Sequence, residues 1–570
     1  MQIVTPKQMG KLEDISEKLG VSKRQLMENA GRKLAELIDG YCRNEAKLRP
    51  EDSSVVFLAG TGNNGGDCYA AADILLYKGY RITVIHIGGL PKTPLAQEML
   101  SILPRDRITF IEGFRSGNVE AAIEAAELDY MTIQPRSTDA ADEEHGRNPL
   151  DDLLHAEKKR MGLIKGAVVG AQVLVDGVFG TGFHGELDKD TMGIFGIGSG
   201  AYRIAVDIPS GGNSSEGTVS AGIFKADETL TFGYIKTGMS QFPLKKYCGR
   251  ITVADIGIPK GALDQLFEGG EREYHRIERN FLAAYPPKRE RDSHKGDFGT
   301  VLVIAGSSSM RGAAAFATLG ALRSGAGLVR LATVEKCIDT ASIHAPEATF
   351  IELDSDDYGY MLYDSSREPL AAAMEKADAV VIGCGMGVTP DTIELTKFVT
   401  ETAKCPVIID ADGINCIAKD IDILLKKNSD IIITPHMGEM ARLLRCDVKM
   451  IADNRLIAAE KYAEQYGITV VLKGAGTVIA SGRSTAVNHT GNAGMSVGGS
   501  GDVLAGMIGA AVAQGCGIFD GACAGVYMHG LAGDTAARKL GMEAMLPRDI
   551  ISALPEAFRL LKEKKQNMTV

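Results

Sequence analysis

Gly499-Ser500-Gly501-Asp502 runs directly into Val503-Leu504-Ala505-Gly506-Met507-Ile508-Gly509-Ala510-Ala511-Val512. The apolar run predicts a buried helix, and two glycines and a carboxylate stand at its N-terminus. Free backbone N–H groups point outward there and the helix dipole adds positive potential, so the stretch reads as an anion site. An Asp in that position can take a proton from an attacking hydroxyl while the amides hold a transferring phosphoryl group. The same four residues also suit a plain helix cap after a glycine turn. The rest of the chain has to decide between the two.

With 570 residues the chain is too long for one core. Two α/β patterns follow one another. A helical segment at 12–37 precedes apolar strand-like runs at 55–59, 82–87, 173–175, 204–206 and 229–232. The pattern restarts with runs at 301–305, 328–332, 379–382, 407–409, 431–433 and 470–472, separated by Ala/Leu-rich helices. Continuous apolar strands alternating with helices predict parallel sheets covered on both faces. The expected fold class is α/β: two three-layer α/β/α domains in series, the first Rossmann-like, at 1–275 and 276–570. Residues 113–165, rich in Asp and Glu, are expected to be a surface insertion with helices at 119–128 and 153–161, decoration more than lid.

A net charge of -11 gives no sign of a nucleic-acid surface. The ten cysteines show no Cys-x-x-Cys pair and no zinc spacing, which points to free thiols in a reducing compartment. The N-terminus has no apolar signal region, and the longest apolar run, 503–519, reads as a buried helix, not a membrane span. A cytoplasmic protein with no membrane partner is expected.

In the second half, several loops at strand ends carry chemistry. Lys473-Gly474-Ala475-Gly476-Thr477 follows a strand, where α/β sheets bind ligands; it also suits a hairpin, since 478–480 reads as a strand. Thr434-Pro435-His436-Met437-Gly438-Glu439 and Gly383-Cys384-Gly385-Met386-Gly387 also follow strands, and Ser293-His294-Lys295 precedes one. No Walker A sequence occurs, so the set describes phosphoryl transfer by another design.

These motifs, with residues 294–306 and Ser324-Gly-Ala-Gly-Leu-Val329, resemble the carbohydrate-kinase-like domain of NAD(P)H-hydrate dehydratases, whose fold is ribokinase-like. The resemblance implies Asp502 as the base on the substrate hydroxyl and Gly501 in the anion hole. It implies Lys473, Gly474, Ala475, Gly476 and Thr477 at the nucleotide, and Ala314, Gly385 and His436 at the hydrate. The usual Gly-Asn-Pro-Gly-Met-Ala is Gly491-Asn-Ala-Gly-Met-Ser496 here.

In the first half, Asn63-Asn64-Gly65-Gly66-Asp67 follows a strand and opens a helix, so its amides can cradle a pyrophosphate. A capped glycine turn is the alternative. Asp176 to Glu186 and Asp207-Ile208-Pro209-Ser210-Gly211 also follow strands, and Asn64, Asp176 and Ser210 offer hard oxygen ligands that suit potassium better than zinc. With Leu26-Met-Glu-Asn-Ala-Gly31 and Thr231-Phe-Gly-Tyr-Ile-Lys-Thr-Gly238, this half resembles the NAD(P)H-hydrate epimerase domain. That resemblance implies K+ at Asn64, Asp176 and Ser210. It implies hydrate contacts from Asn63 to Asp67, from Gly180, Thr181, Gly182, Phe183, His184, Gly185 and Glu186, and from Asp207. Asp176 and Asp207 are both candidates for the epimerase base, with Lys92 a further one. The usual Pro-Ser-Gly-Leu is Pro209-Ser-Gly-Gly212 here.

The expected function is bifunctional repair. One half interconverts the R and S hydrates of NADH and NADPH (NADHX and NADPHX). The other dehydrates the S form with ADP as co-substrate, giving AMP and phosphate, with Mg2+ neutralising the transferring group. The resemblance also implies a homo-oligomer. The alternative is a ribokinase-like kinase for a sugar or vitamin precursor, with a non-catalytic N-terminal binding domain.

Overall fold

A computed structural model describes residues 1–113, 149–282 and 285–563. The chain forms two compact units, Val4–Glu271 and Arg272–Val570, the latter joined by Met1–Ile3. Those first residues lie in a short strand, β1 (Gln2–Val4).

The Val4–Glu271 unit holds one sheet of seven parallel strands: β2 (Ser54–Ala59), β3 (Arg81–His86), β4 (Thr109–Glu112), β5 (Val173–Gly177), β6 (Tyr202–Val206), β7 (Glu228–Phe232) and, after the two-residue β8 (Ile235–Lys236), β9 (Arg250–Ala254). Their order is β4-β3-β2-β5-β6-β7-β9. Alternate residues of β2 feed two cores: Val55, Phe57 and Ala59 on one face, Val56 and Leu58 on the other. Both faces are covered, so the strands read as unbroken apolar runs. The chain winds outward from β2 to β4 and then from β5 to β9, so the crossover reverses between β2 and β5. Loops diverge at such a reversal and leave a crevice at the carboxyl ends of the strands.

Three expectations change. The segment 12–37 is two helices, Pro6–Lys18 and Lys23–Gly40, because Gly20 adopts a left-handed φ of 94° and the Ser22 side chain caps the second helix by accepting from Gln25 N (3.2 Å). The run 503–519 is not one helix either: Ser500–Ala513 ends before left-handed Gly515, and Ile518–Leu540 starts afresh. The segment 113–165 is not all decoration. Its end lies in the helix Pro149–Val169, whose Ile164 and Val168 are fully buried in the core under β2 and β5. That helix is part of the crossover from β4 to β5. The expected helix at 119–128 lies outside the described residues.

In the other unit the strands are β10 (Glu273–Arg276), β11 (Thr300–Ile304), β12 (Leu328–Val334), β13 (Thr349–Leu353), β14 (Ala379–Ile382), β15 (Val407–Ile409), β16 (Ile431–Ile433), β17 (Thr469–Leu472), β18 (Val478–Ser481) and β19 (Ser484–Val487). They run β13-β12-β11-β14-β15-β16-β17-β18-β19-β10-β1, parallel from β13 to β17. β17, β18 and β19 form an antiparallel meander, so Lys473–Thr477 is also a hairpin turn. Here the crossover reverses between β11 and β14.

The departure at Gly212 has a packing cause. A Cβ placed there would lie 2.4 Å from Leu244 Cδ1, and Leu244 is fully buried. Leu244 thus fills the space that a leucine at 212 would take. Gly212→Leu should lose about 1–3 kcal/mol through overpacking. Adding Leu244→Ala should recover part of that loss in urea unfolding.

Candidate active sites

In the Val4–Glu271 unit the functional side chains gather at the β2/β5 reversal. β2 leads through Gly62 into the helix Asn63–Tyr77, whose N-terminus has no side-chain cap. Asn64 Nδ2 donates to Phe179 O (3.1 Å) and Val206 O (2.8 Å), tying the loops after β2, β5 and β6 together. Ser210 Oγ donates to Asp176 Oδ1 (2.6 Å) and accepts from Phe179 N (2.8 Å). Asn64, Asp176 and Ser210, far apart in sequence, therefore meet in one cluster of oxygen donors.

The two candidate carboxylates are built differently. Asp176 is fully buried and both its oxygens are occupied: Oδ1 by Ser210 Oγ and Val178 N (3.2 Å), Oδ2 by Ser210 N (2.8 Å). Burial raises its pKa to about 6, against the pull of those donors. Asp207 has a strained left-handed φ of 65°. Its Oδ1 accepts from Lys236 Nζ, Thr231 Oγ1 (3.1 Å) and Phe232 N (3.1 Å). Those donors all converge on one oxygen and leave Oδ2 for a ligand. Lys236 is fully buried, and its ammonium also donates to Thr231 Oγ1 (3.0 Å) and Phe232 O (3.1 Å).

Two more carboxylates face this pair. Burial and then the charge of Asp207 push Asp67 well above the usual carboxylate range, and the same two causes raise Glu13. Lys236 opposes the charge of all three carboxylates, and at Glu13 Lys23 acts ahead of it. The 180–186 loop lies beside the cluster. Phe183 packs on Phe179 with ring centroids 5.0 Å apart, Thr181 O accepts from Ser214 Oγ (2.9 Å), and Glu186 Oε2 accepts from Ser220 Oγ (2.7 Å). His184 is exposed. Lys92 is exposed, and its main-chain N–H donates to Thr61 O (2.8 Å).

In the other unit Asp502 is the third residue of the helix Ser500–Ala513, entered through left-handed Gly499. Asp410, directly after β15, is almost completely buried beside it. Its Oδ1 accepts from Lys473 Nζ (2.7 Å) and Thr434 Oγ1 (2.5 Å), and its Oδ2 accepts from the Cys384 thiol (3.7 Å). Lys473 Nζ also lies 4.0 Å from Glu439 Oε2. A Cβ at Gly501 would sit 3.3 Å from Lys473 Nζ, so the ammonium lies against the helix start. Burial would raise Asp410, but Lys473 and Thr434 outweigh it and hold its pKa below the usual value. Asp502 is pushed up to about 7, by burial first and then by the charge on Asp410.

His436 is the N-cap of the helix Met437–Leu444. Its Nδ1 accepts from Gly438 N (2.9 Å) and Glu439 N (3.3 Å), and Glu439 Oε2 accepts from His436 N (2.7 Å). Burial and Lys473 lower its pKa, so the ring is neutral. The Lys473–Thr477 turn is pinned by Arg455, which donates to Ala475 O (2.6 Å) and Gly476 O (3.0 Å). Ala314 and Gly385, the other expected hydrate contacts, stand where the elements after β11 and β14 pack closely. Ala314 is fully buried, its Cβ filling the space beside Gly306. Gly385 is buried at a left-handed φ of 63°, where a side chain would strike Ala313 Cβ (2.7 Å). Gly306 and Gly385 thus leave room for Ala314 and Ala313 of the helix Arg311–Arg323.

A family model described as NAD(P)H-hydrate dehydratase matches residues 301–556, and one described as YjeF-related protein N-terminus matches 23–238. The bifunctional NAD(P)H-hydrate repair enzyme Nnr of Moorella thermoacetica is 32% identical over 576 residues, covering 100% of this chain and 98% of its own length. The enzyme of that name from Thermofilum pendens is 31% identical over 553 residues, covering 96% and 94%. The chain belongs to the bifunctional NAD(P)H-hydrate repair enzymes. Among solved structures, the ADP/ATP-dependent NAD(P)H-hydrate dehydratase of Bacillus subtilis, co-crystallised with ATP and Mg2+, is 30% identical over 50% of this chain and 99% of its own, with a TM-score of 0.44.

For this repair enzyme the sequence reading passed over Asp410, Lys236 and Glu13. Asp410 follows the apolar run Val407-Ile408-Ile409 directly, and Lys236 interrupts an apolar stretch; a lone charge in such a setting is a usable signal, since buried Lys and Asp are rare unless paired. Glu13 sits on an ordinary amphipathic helix and carries none. No helix among the described residues is long and apolar enough to cross a membrane.

Were Asp502 the group that takes the substrate proton, its raised pKa would place an acid limb near pH 7 in dehydration. In Asp410→Asn the like charge is gone, Asp502 titrates lower, and the limb should move to lower pH in a kcat/KM profile.

Proposed function

We propose that the Val4–Glu271 unit interconverts the R and S hydrates of NADH and NADPH, and that the second unit dehydrates the S hydrate with ADP, releasing AMP and phosphate. The observation that carries the assignment is the one-sided hydrogen bonding of Asp207. Its Oδ1 is saturated by Lys236, Thr231 and Phe232, and its Oδ2 is left to work on substrate. Asp176 has no such free oxygen and acts as a positioning group.

In epimerisation, a solvent proton relayed through Asp207 Oδ2 leaves with the hydroxyl as water, and the water that enters on the opposite face returns one proton to solvent. The ring nitrogen stabilises the planar cation between the two events. Asn63, Asn64, Gly65 and Gly66 bring helix N-terminal amides to the substrate pyrophosphate, and residues 180–186 flank it. The oxygens gathered after β2, β5 and β6 would suit K+: the Phe179 and Val206 carbonyls, Asp176, Ser210 and the side-chain carbonyl of Asn64. A bound cation supplies there the positive charge that the buried Asp176 lacks.

In dehydration, Asp502 accepts the proton of the hydrate hydroxyl as that oxygen takes the terminal phosphoryl group of the nucleotide. The amides at Gly501 and the Lys473 ammonium face the charge that develops. Phosphate then leaves, pushed by the ring nitrogen, and loss of a ring proton restores the reduced nicotinamide. Gly474, Ala475, Gly476 and Thr477 form a rigid turn against the nucleotide, and His436 offers a neutral ring to the hydrate. Asp410 Oδ1 is taken by Lys473 and Asp412 by Gly387 N (2.9 Å), so Mg2+ would be held chiefly by the nucleotide phosphates and would neutralise their charge.

Supplying each hydrate epimer separately with ADP or ATP tests the scheme. The S form should regain reduced-nicotinamide absorbance with ADP, yielding AMP and phosphate; a stable phosphorylated product would instead mark a kinase. Asp207→Asn should slow R-to-S conversion by about 10²-fold or more and leave S dehydration intact. Asp502→Asn should abolish dehydration while nucleotide still binds by calorimetry. Unchanged turnover in either variant removes that residue as the base.

A further inference from the structure

Cys384 Sγ, Asp410 and Asp502 each offer a ligand atom, and these atoms all lie within 4.8 Å of one another. They come from three separate places: the loop after β14, the end of β15 and the start of the helix Ser500–Ala513. Cys384 is fully buried, and its sulfur is 3.7 Å from Asp410 Oδ2, a separation that two ligands of one small cation can adopt. Lys473 and Thr434 both hold Oδ1 of Asp410, so Oδ2 remains on the thiol side.

We propose that this cluster is a binding site for a borderline divalent cation of the Zn2+ class, held by Cys384 Sγ, Asp410 Oδ2 and the Asp502 carboxylate, and that its occupation switches dehydration off by taking Asp502. The inhibitory part rests on Asp502 being the base. A thiolate donor separates such an ion from Mg2+, which takes oxygen ligands almost exclusively. One arrangement favours a cation here: two carboxylates, Asp410 and Asp502, stand together beside a single ammonium, that of Lys473, which is bonded to Asp410 and offsets their charge only in part. Burial also keeps the Cys384 thiol protonated in the free protein, so binding must displace that proton to solvent, along with any proton on Asp502. No electron is transferred. The buried thiol is thereby available to a thiophilic metal while staying a poor nucleophile.

The test uses the full-length protein, dialysed against a chelator and titrated with metal alone. Zn2+ should bind by calorimetry with proton release, and Co2+ should develop a thiolate-to-metal absorption band. Cys384→Ser keeps the size of the side chain and Cys384→Ala removes the donor; in both the band should vanish, and Zn2+ affinity should fall by about tenfold or more. An intact circular-dichroism spectrum for either variant makes it a valid comparison. An unchanged band and affinity in both would overturn the site, since the metal would then be using other cysteines. In activity assays with excess Mg2+, Zn2+ should block dehydration of the S hydrate reversibly by EDTA and leave R-to-S conversion unchanged. Metal that binds through Cys384 without slowing dehydration would uphold the site and overturn the switch, while the role of Asp502 as base is decided separately by Asp502→Asn.

Discussion

An ionised carboxylate buried without a partner costs several kcal/mol, and a protein that buries more acids than bases must leave one of them short of charge. Both sites of this enzyme are arranged around that shortage. Lys473 bonds Asp410, and Asp502 beside them is left without a cation of its own. Lys236 bonds Asp207, Asp67 is left with what remains of its field, and Glu13 stays raised although Lys23 also acts on it. In each case the lysine fixes one carboxylate in place and the surplus acids acquire raised proton affinity. The two sites use this differently: the proposed base of dehydration is the surplus acid Asp502, raised to about 7, whereas the proposed group of epimerisation is the lysine-bound Asp207.

The sheets make this affordable by putting the acids where the backbone already supplies polarity. Parallel strands send all their carboxyl ends to one edge, and at a reversal of winding the loops part. Asp176, Asp207, Asp410 and Lys473 all stand at or just past strand ends, and Asp502 stands at a helix N-terminus. Backbone N–H groups of Val178, Ser210 and Phe232 donate directly to the carboxylates of Asp176 and Asp207. The loops that carry these groups are stiffened by internal bonds: Asn64 across three loops, Arg455 under the Lys473–Thr477 turn, and Asp534, which accepts from Gly491 N and Asn492 Nδ2 (2.9 Å each). That last pair holds the loop in which Ala493 stands for the usual proline, so the substitution does not leave it untethered.

Central strands were legible because burial on both faces writes a continuous apolar run, as in Val407-Ile408-Ile409 and Ile431-Ile432-Ile433. Edge strands were not. β4, β9 and β13 are partly exposed, so Thr109–Glu112, Arg250–Ala254 and Thr349–Leu353 mix apolar and polar residues without a clear period. The helix Pro149–Val169 escaped notice as a structural layer because its polar N-terminal half resembles the acidic segment before it, and only Ile164 and Val168 mark the buried side.

By itself the sequence determined the two parallel α/β halves, the loops at which chemistry would gather, and the residues Asp502, Asp207, Asn64 and Asp176 within them. Local pattern carries that much, since strand burial, helix starts and glycine turns are written over a few residues. Tertiary structure decided how those groups divide the work. Only the fold shows that Asp176 has both oxygens bound while the bonds to Asp207 fall on one oxygen, that Lys473 faces Asp410, and that Ala314 packs against Gly306. Hydrogen bonds and charge balance between residues tens to hundreds of positions apart set those roles, and no local stretch of sequence encodes which partner a buried charge will meet.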